Sequence, residues 1–346
     1  MNRLMHQLGL TLPLIQAPMA GAQGSALAVA VSNAGGLGSL PAALLGVDAL
    51  RSELARVRQQ TERPYNLNFF CHTQPVPDAG REAAWRAALA PYYLEFGLDP
   101  SAPPQGAARA PFGPAGADLV EEFRPALVSF HFGLPAPELL ARVRASGARI
   151  ISSATTVAEA LWLEARGVDA VIAQGLEAGG HRGMFLSDDL STQLGSIALL
   201  PQVVAALRIP VIAAGGFADA RAVAAALALG ASAVQVGTAY LLCPEATTSA
   251  VHRAALQTPQ ARHTALTNLY SGRPARGIVN RLMRELGPMA SVAPAFPLAA
   301  AALAPLRSQA EGLGNGDFSP LWSGQNATGC RAVPAAQLTR VLAGLA

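Results

Sequence analysis

The stretch with the densest chemical potential is Gln174-Gly-Leu-Glu-Ala-Gly179-Gly180-His181, which directly follows the apolar run Val168-Asp-Ala-Val-Ile-Ala173. The run reads as a buried strand, so its end presents an amide, bare backbone and an imidazole. In α/β folds with parallel strands, ligands sit at the C-terminal strand ends. Gly179 and Gly180 allow backbone to approach a flat ligand, since no Cβ intervenes. His181 adds an acid/base group that titrates near neutral pH. The plain alternative is a loop histidine that only caps a helix. The glycine pair and the strand-end position favour a site.

Two more strand ends complement the first. Pro210-Val-Ile-Ala-Ala-Gly215-Gly216-Phe217 closes a strand on two glycines, with a helix expected from about Asp219. Val234-Gln235-Val236-Gly237-Thr238 closes the next strand on Gly-Thr. Free N–H groups beside glycine turns make an anion site, and in barrels the loops after strands seven and eight often take phosphate. Ordinary turn glycines are the alternative for either motif alone; two on adjacent strands point to phosphate. Gly312-Leu-Gly314-Asn-Gly316 follows no strand and lacks the full dinucleotide fingerprint, so it reads as a flexible loop. No P-loop, G-x-S-x-G elbow or H-E-x-x-H occurs.

The elements that must carry these motifs follow from pattern. Short apolar runs alternate with helical segments, the rhythm of repeated βα units. Strands are expected at Leu12–Ala17, Leu37–Leu40, Tyr65–Phe70, Ala126–His131, Arg149–Ser153, Val168–Ala173, Pro210–Ala214 and Ser232–Val236. Helices are expected over Gly24–Asn33, Val47–Gln60, Pro137–Ser146, Thr156–Arg166, Gly195–Leu207 and Asp219–Leu229. This pattern predicts a (β/α)₈ TIM barrel, with an open doubly wound sheet as runner-up. The rhythm lapses after strand three, where Pro75, Pro77, Pro91, Pro100, Pro103, Pro104, Pro111 and Pro114 fall, with one helix near Gly80–Ala90. The division is then a barrel from 1–71 and 122–243, an insertion over the active face at 72–121, and a smaller helical lobe at 244–316. A segment at 317–346 returns to the barrel, with a closing helix at Ala336–Leu345.

Composition narrows the class. Of 346 residues, 51% are hydrophobic and only 14% charged, which suits packed helices over a parallel sheet and excludes disorder. The net charge is +3 without any basic run, and aromatics are 5%, so nucleic-acid binding has no support. Cys71, Cys243 and Cys330 are widely spaced and odd in number, which suggests neither zinc nor a disulfide framework and fits a reducing cytoplasm. Cys71-His72 has no second half-site to complete a metal centre. The apolar N-terminal stretch is broken by His6, Gln7, Pro13, Gln16 and Pro18, unlike a signal peptide. No apolar stretch spans a bilayer, and the sequon Asn326-Ala-Thr328 means nothing without export.

With these residues placed, the chain resembles the nitronate monooxygenase family, formerly 2-nitropropane dioxygenases, over most of its length. The resemblance rests on Gln16-Ala-Pro18-Met19-Ala-Gly21, Asn66-Leu-Asn68-Phe-Phe-Cys-His72 and Ser129-Phe-His-Phe-Gly133. It continues in the Gln174–His181 segment, the Gly215-Gly216 turn and Gln235-Val-Gly-Thr238. It implies an FMN-dependent TIM barrel that oxidises alkyl nitronates such as propionate 3-nitronate with O₂ to a carbonyl compound and nitrite. It further implies that Pro18, Met19 and Ala20 lie along the isoalloxazine, and that Asn68, Gln174 and Gly179 contact flavin or ribityl chain. Gly216 and Gln235, Val236, Gly237 and Thr238 would hold the phosphate, as the glycine turns suggest independently. His181 would face the ring, either donating to the nitro oxygens as imidazolium or taking the α-proton of a neutral nitroalkane as imidazole.

Other roles stay open on sequence. Arg273 and Arg276, in Ser271-Gly-Arg-Pro-Ala-Arg-Gly277, would either hold the anionic substrate or sit on a solvated surface. Met19, Phe70, Phe130 and Phe132 line the pocket or fill core, with His131 on the opposite strand face from the last two. A homodimer is compatible with the Ala-rich helices. The rivals are an NAD(P)H-dependent FMN reductase acting on a quinone or enoyl thioester, and a non-catalytic FMN-binding protein.

Overall fold

The computed structural model describes residues 3–102 and 109–345, so Pro103 and Pro104 of the expected insertion lie outside the described residues. In chain order the strands are β1 (Leu14–Gln16), β2 (Gly38–Pro41), β3 (Tyr65–Phe70), β4 (Leu127–His131), β5 (Arg149–Ala154), β6 (Ala170–Gln174), β7 (Gly180–His181), β8 (Val211–Ala214), β9 (Ala233–Val236), β10 (Thr264–Thr267) and β11 (Ala275–Ile278). Eight of them form one parallel sheet in the order β1-β9-β8-β6-β5-β4-β3-β2. A parallel bridge between Ile15 and Leu37 joins its two edges, with Gln16 N–H donating to Leu37 O at 2.9 Å. The ring closes as a barrel, and the doubly wound alternative falls away.

Alternation along each strand sorts the side chains. Outward residues such as Leu14, Leu67, Val128, Ile150, Val171 and Val234 pack under the helices in the main core. Inward residues fill the lower barrel: Ile15, Leu37, Leu127, Ile151, Ile172 and Ile212 form one cluster with Leu4 and Leu8. The N-terminal helix Arg3–Leu8 therefore plugs the floor of the barrel. Nearer the C-terminal strand ends the inward positions turn polar, with Asn68, Ser129, Ser153 and Gln174 all buried.

Helix positions agree with pattern wherever an amphipathic stripe is present. Val47–Gln60 buries Leu50, Leu54 and Val57 on one face and carries Asp48 in its first turn. The expected helix near Gly80–Ala90 runs from Ala79 to Glu95, passing straight through Pro91. Burial of Trp85, Leu89, Tyr92 and Tyr93 on one side offsets the single backbone hydrogen bond that proline removes.

Two expectations need correction. Pro114–Phe123 is a helix whose proline sits in the first turn, where a missing N–H does no harm, and its Ala117, Leu119 and Val120 join the main core. The barrel thus resumes within the stretch assigned to the insertion. The smaller lobe is not purely helical, because β7, β11 and β10 form an antiparallel sheet that pairs Ala275 with His181 and Arg276 with Gly180. The lobe has its own core, in which Trp85, Leu89 and Tyr93 from helix Ala79–Glu95 meet Leu269, Leu282, Leu303 and Phe318. The closing helix, Ala335–Leu342, buries Ala335, Leu338 and Leu342 in the main core and takes the place of the eighth barrel helix.

Candidate active site

One large cavity opens between the C-terminal strand ends and the lobe, about 1740 Å³ counting its open mouth. Every residue that the sequence offers as catalytic or cofactor-binding lines it: Pro18, Met19, Ala20, Asn68, Gln174, Gly179, Gly180, His181, Gly215, Gly216, Gln235, Val236, Gly237 and Thr238.

One end is built of main chain. Gly215 and Gly216 have φ of 110° and 81°, a conformation L side chains rarely adopt. A Cβ on Gly179 would stand 2.5 Å from Gly324 N. Among the described residues no acceptor takes the N–H groups of Gly216, Gly237 or Thr238. Free donors lining one end of a cavity suit an anion. The helix after strand β8, Ala220–Ala228, is less available than the sequence suggested, because Asp219 already accepts Ala222 N–H at 2.8 Å. What is left unpaired at this end is thus the backbone of the glycine turns themselves. Asn326, which sequence offered only as an idle sequon, steadies it by donating to Gly216 O at 3.2 Å. Gly324 N–H donates to Thr238 Oγ1 at 2.9 Å. The buried Oε1 of Gln235 has no partner and waits for a donor.

The loop after β1 is held by a buried amide pair. Gln16 accepts Ser39 N–H at 3.0 Å and donates to Gln23 at 2.6 Å, while Gln23 accepts Met19 N–H at 3.0 Å. Since Pro18 has no N–H, Ala20 is the residue of that run with one left to offer. Asn68 donates to Ser129 Oγ at 2.9 Å, a pairing set by the β3–β4 register. The Gln174 amide is engaged at both ends, donating to His181 O at 3.0 Å and accepting Gly183 N–H at 2.8 Å.

The other end is built of rings. His181 sits on β7 with its Nε2 2.9 Å from Ser271 Oγ. Phe296 lies 5.3 Å, Trp322 5.6 Å, and Phe70 and Phe132 6.0 Å from its ring centre. Burial, then the positive charge of Arg109, hold the His181 pKa well below its ordinary value. The ring is therefore a neutral imidazole at neutral pH. His131 reaches Ser153 Oγ at 3.1 Å and His181 O at 3.2 Å, so both its nitrogens are satisfied by protein. Burial pushes its pKa down to about 4. It is a structural histidine that also lines the cavity, and it fixes the backbone that carries His181.

Several open roles are decided. Met19 and Phe70 line the cavity, whereas Phe130 is fully buried in the main core against Phe112. Phe132 lies beyond the end of β4 with φ of 71°, so strand alternation no longer places it. Arg273 stacks 4.2 Å over Phe132 and donates to Met184 O. Arg276 is buried and donates to Leu176 O at 2.9 Å. Neither arginine lines the cavity, and neither is a solvated surface residue. Two other arginines line it: Arg307, which pairs with Glu311, and Arg109, which has no carboxylate partner among the described residues. Sequence reasoning missed Arg109, Trp322 and Gly324, and gave Ser271 and Asn326 no role, because none of them sits at a strand end.

A model of the nitronate monooxygenase family matches residues 2–344. The chain belongs to this family. It is 43% identical over 343 residues to a nitronate monooxygenase of Pseudomonas aeruginosa, covering 99% of this chain and 98% of that one. The nitronate monooxygenase of Paraburkholderia phytofirmans is 42% identical over 341 residues, covering 98% and 93%. Among solved structures, a nitroalkane oxidase from Streptomyces ansochromogenes superposes with a TM-score of 0.90 at 39% identity, covering 99% of this chain and 97% of that one. FabK from Thermotoga maritima does so at 0.72 and 27%, covering 99% and 94%. Within the nitronate monooxygenase family, then, this chain carries the barrel and the closing lobe together.

Proposed function

We propose that this protein oxidises alkyl nitronates with O₂ to a carbonyl compound and nitrite, with FMN as cofactor. The observation that carries the reading is a half-buried imidazole, His181, lining a cavity whose opposite end offers free backbone N–H groups. FMN, when bound, supplies the redox chemistry. Gly216, Gly237 and Thr238 would hold its phosphate, and the orphaned Gln235 Oε1 fits a ribityl hydroxyl or ring N–H. Ala20 N–H, Asn68 and Gly179 would meet the rest of the cofactor, with Gln174 acting through the 181–183 backbone it holds.

The chain's own residues divide the remaining work. A nitronate is an anion, and Arg109 gives the histidine end a positive potential that draws it in. His181 is uncharged, so the imidazolium role is disfavoured. Its neutral ring can take the α-proton from a nitroalkane, with Ser271 holding its orientation. Phe70 and Trp322 would wall the reacting carbon away from water, with Phe296 packed against His181 behind them. Propionate 3-nitronate suits the unpaired Arg109, which can meet a second anionic group. The three free cysteines suit a reducing cytoplasm, and among the described residues no helix is long and apolar enough to cross a membrane.

The reductase reading has weaker support, since FabK matches at lower identity than the nitroalkane oxidase. A visible absorption spectrum of the purified protein, followed by oxygen uptake and nitrite assay with ethyl nitronate, tests the proposal. A flavin spectrum with nitrite release supports it. A colourless protein that takes up no FMN, or rapid anaerobic bleaching by NADH without nitrite formation from nitronate, would overturn it.

A further inference from the structure

The cavity does not end at the rings around His181. It continues between the barrel and the lobe into a compartment walled by Leu44 and Leu241, with Thr248 and His252 among its lining residues. Local pairing places this compartment against the loop after β1. Thr247 N–H donates to Ala22 O at 2.8 Å, and Ala246 bridges Gln23. Trp322 connects the two compartments, because its ring faces His181 while its backbone bonds to His252.

Two polar atoms here are buried without a partner. Thr248 and His252 are each only 7% exposed, yet Thr248 Oγ1 and His252 Nε2 bond to nothing. Native proteins rarely leave such atoms unsatisfied, because desolvating them without a replacement bond is unfavourable. The bond from His252 to the Trp322 backbone favours the protonated ring, so the histidine is its donor. Nε2 has no partner, so that bond uses Nδ1, and in the neutral ring Nε2 is a bare acceptor. Burial keeps the ring uncharged.

The charges at the rim do not call for an ionic ligand. Arg307 and Glu311 pair with each other at 2.7 Å, and Glu311 also accepts the Ser319 hydroxyl at 2.6 Å. What the compartment lacks is a neutral group that can donate to an imidazole nitrogen and exchange a bond with a hydroxyl, carried on an apolar chain.

We infer that Thr248 and His252 form a second polar subsite that binds a neutral hydrogen-bonding group, a hydroxyl or primary amide, at the far end of the substrate. Leu44 and Leu241 hold the alkyl segment between that group and the reacting carbon. This assignment rests on the nitronate reading above. It makes the protein selective for ω-functionalised chains over plain alkyl chains of equal length.

The test is anaerobic titration calorimetry of the FMN-loaded protein with ω-hydroxy nitroalkanes of four to six carbons. Methyl-ended nitroalkanes of the same length serve as the reference ligands, and the ratio of the two affinities is the readout. The native protein is expected to favour the hydroxyl-ended ligand by about tenfold at the best length. Thr248→Val, which keeps the shape of the side chain, is expected to lower that ratio to about threefold or less, and His252→Phe to abolish it. Equal affinities in the native protein would mean that the compartment holds only water and would overturn the assignment. So would a ratio unchanged in Thr248→Val, or loss of bound FMN from that variant, which would make the pair a cofactor contact. If no nitronate is oxidised, the parent reading fails, while the calorimetric ratio still decides the subsite.

Discussion

At the glycine end of the cavity a ligand meets main chain from Gly179, Gly216, Gly237 and Gly324. At the histidine end it meets side chains from scattered segments, among them Phe70, His131, His181 and Trp322, with Ser271 and Phe296 packed against His181. The first end is specified by which residues lack a side chain, so its tolerance is steric. The second is specified by burial, which sets the protonation of its rings, so its tolerance is electrostatic. Substitutions at the two ends should therefore fail in different ways.

The largest effect is expected at the histidine end. His181→Asn should retain FMN and lose about 10²–10⁴ in turnover of neutral nitroalkanes, with a smaller loss on preformed nitronates. Steady-state kinetics on both substrate forms checks this, and equal losses on the two forms would remove the proton-transfer role. Acid should also strike that end first. The unfolded chain takes up protons below the ordinary histidine value of 6.5, whereas His131 and His252 resist them down to about 4 and His181 also resists. Stability is thus greatest above pH 6.5 and falls between 6.5 and about 4. From pH 7 to pH 5, His131 and His252 alone should remove on the order of 4 kcal/mol. Urea midpoints at the two pH values measure it, and a flat profile would contradict the neutral-ring assignment. The glycine end answers to Gly179→Ala. Its Cβ would press on the backbone at Ser323 and Gly324, which cannot swing aside as a side chain would. FMN affinity should fall about 100-fold with His181 chemistry otherwise intact. Retention of FMN at native affinity would show that the cradle is more pliant than its geometry implies.

The same contrast explains what could be read from sequence. Gly215-Gly216 and Gly237-Thr238 announce themselves because a strand and a glycine turn are neighbours in the chain. The barrel was legible for a like reason, since each βα unit is a local pattern of apolar periodicity. His181 was legible as a residue, but its surroundings were not. Its hydrogen bond to Ser271 spans 90 positions, and Trp322 belongs to no local motif. The strand character of Gly180–His181 exists only because β11 lies beside it. Pro114 was read as a loop signal, although proline also opens helices. Arg273 and Arg276 look alike in sequence to the unpaired Arg109, and only their tertiary partners distinguish the structural pair from the unpaired cation lining the cavity.

The position of helix Ala335–Leu342 in the ring has a consequence for how the protein is made. Chains leave the ribosome N-terminal end first. All eight barrel strands are thus synthesised before the helix that covers Tyr240 and packs beside Ser25–Asn33. A nascent chain that has reached Trp322 already holds every strand but lacks Gly324, Asn326 and that last helix. The helical cover of the barrel and the glycine end of the cavity are finished by the same late stretch of translation, so a stalled ribosome would display a barrel that is incomplete in both respects.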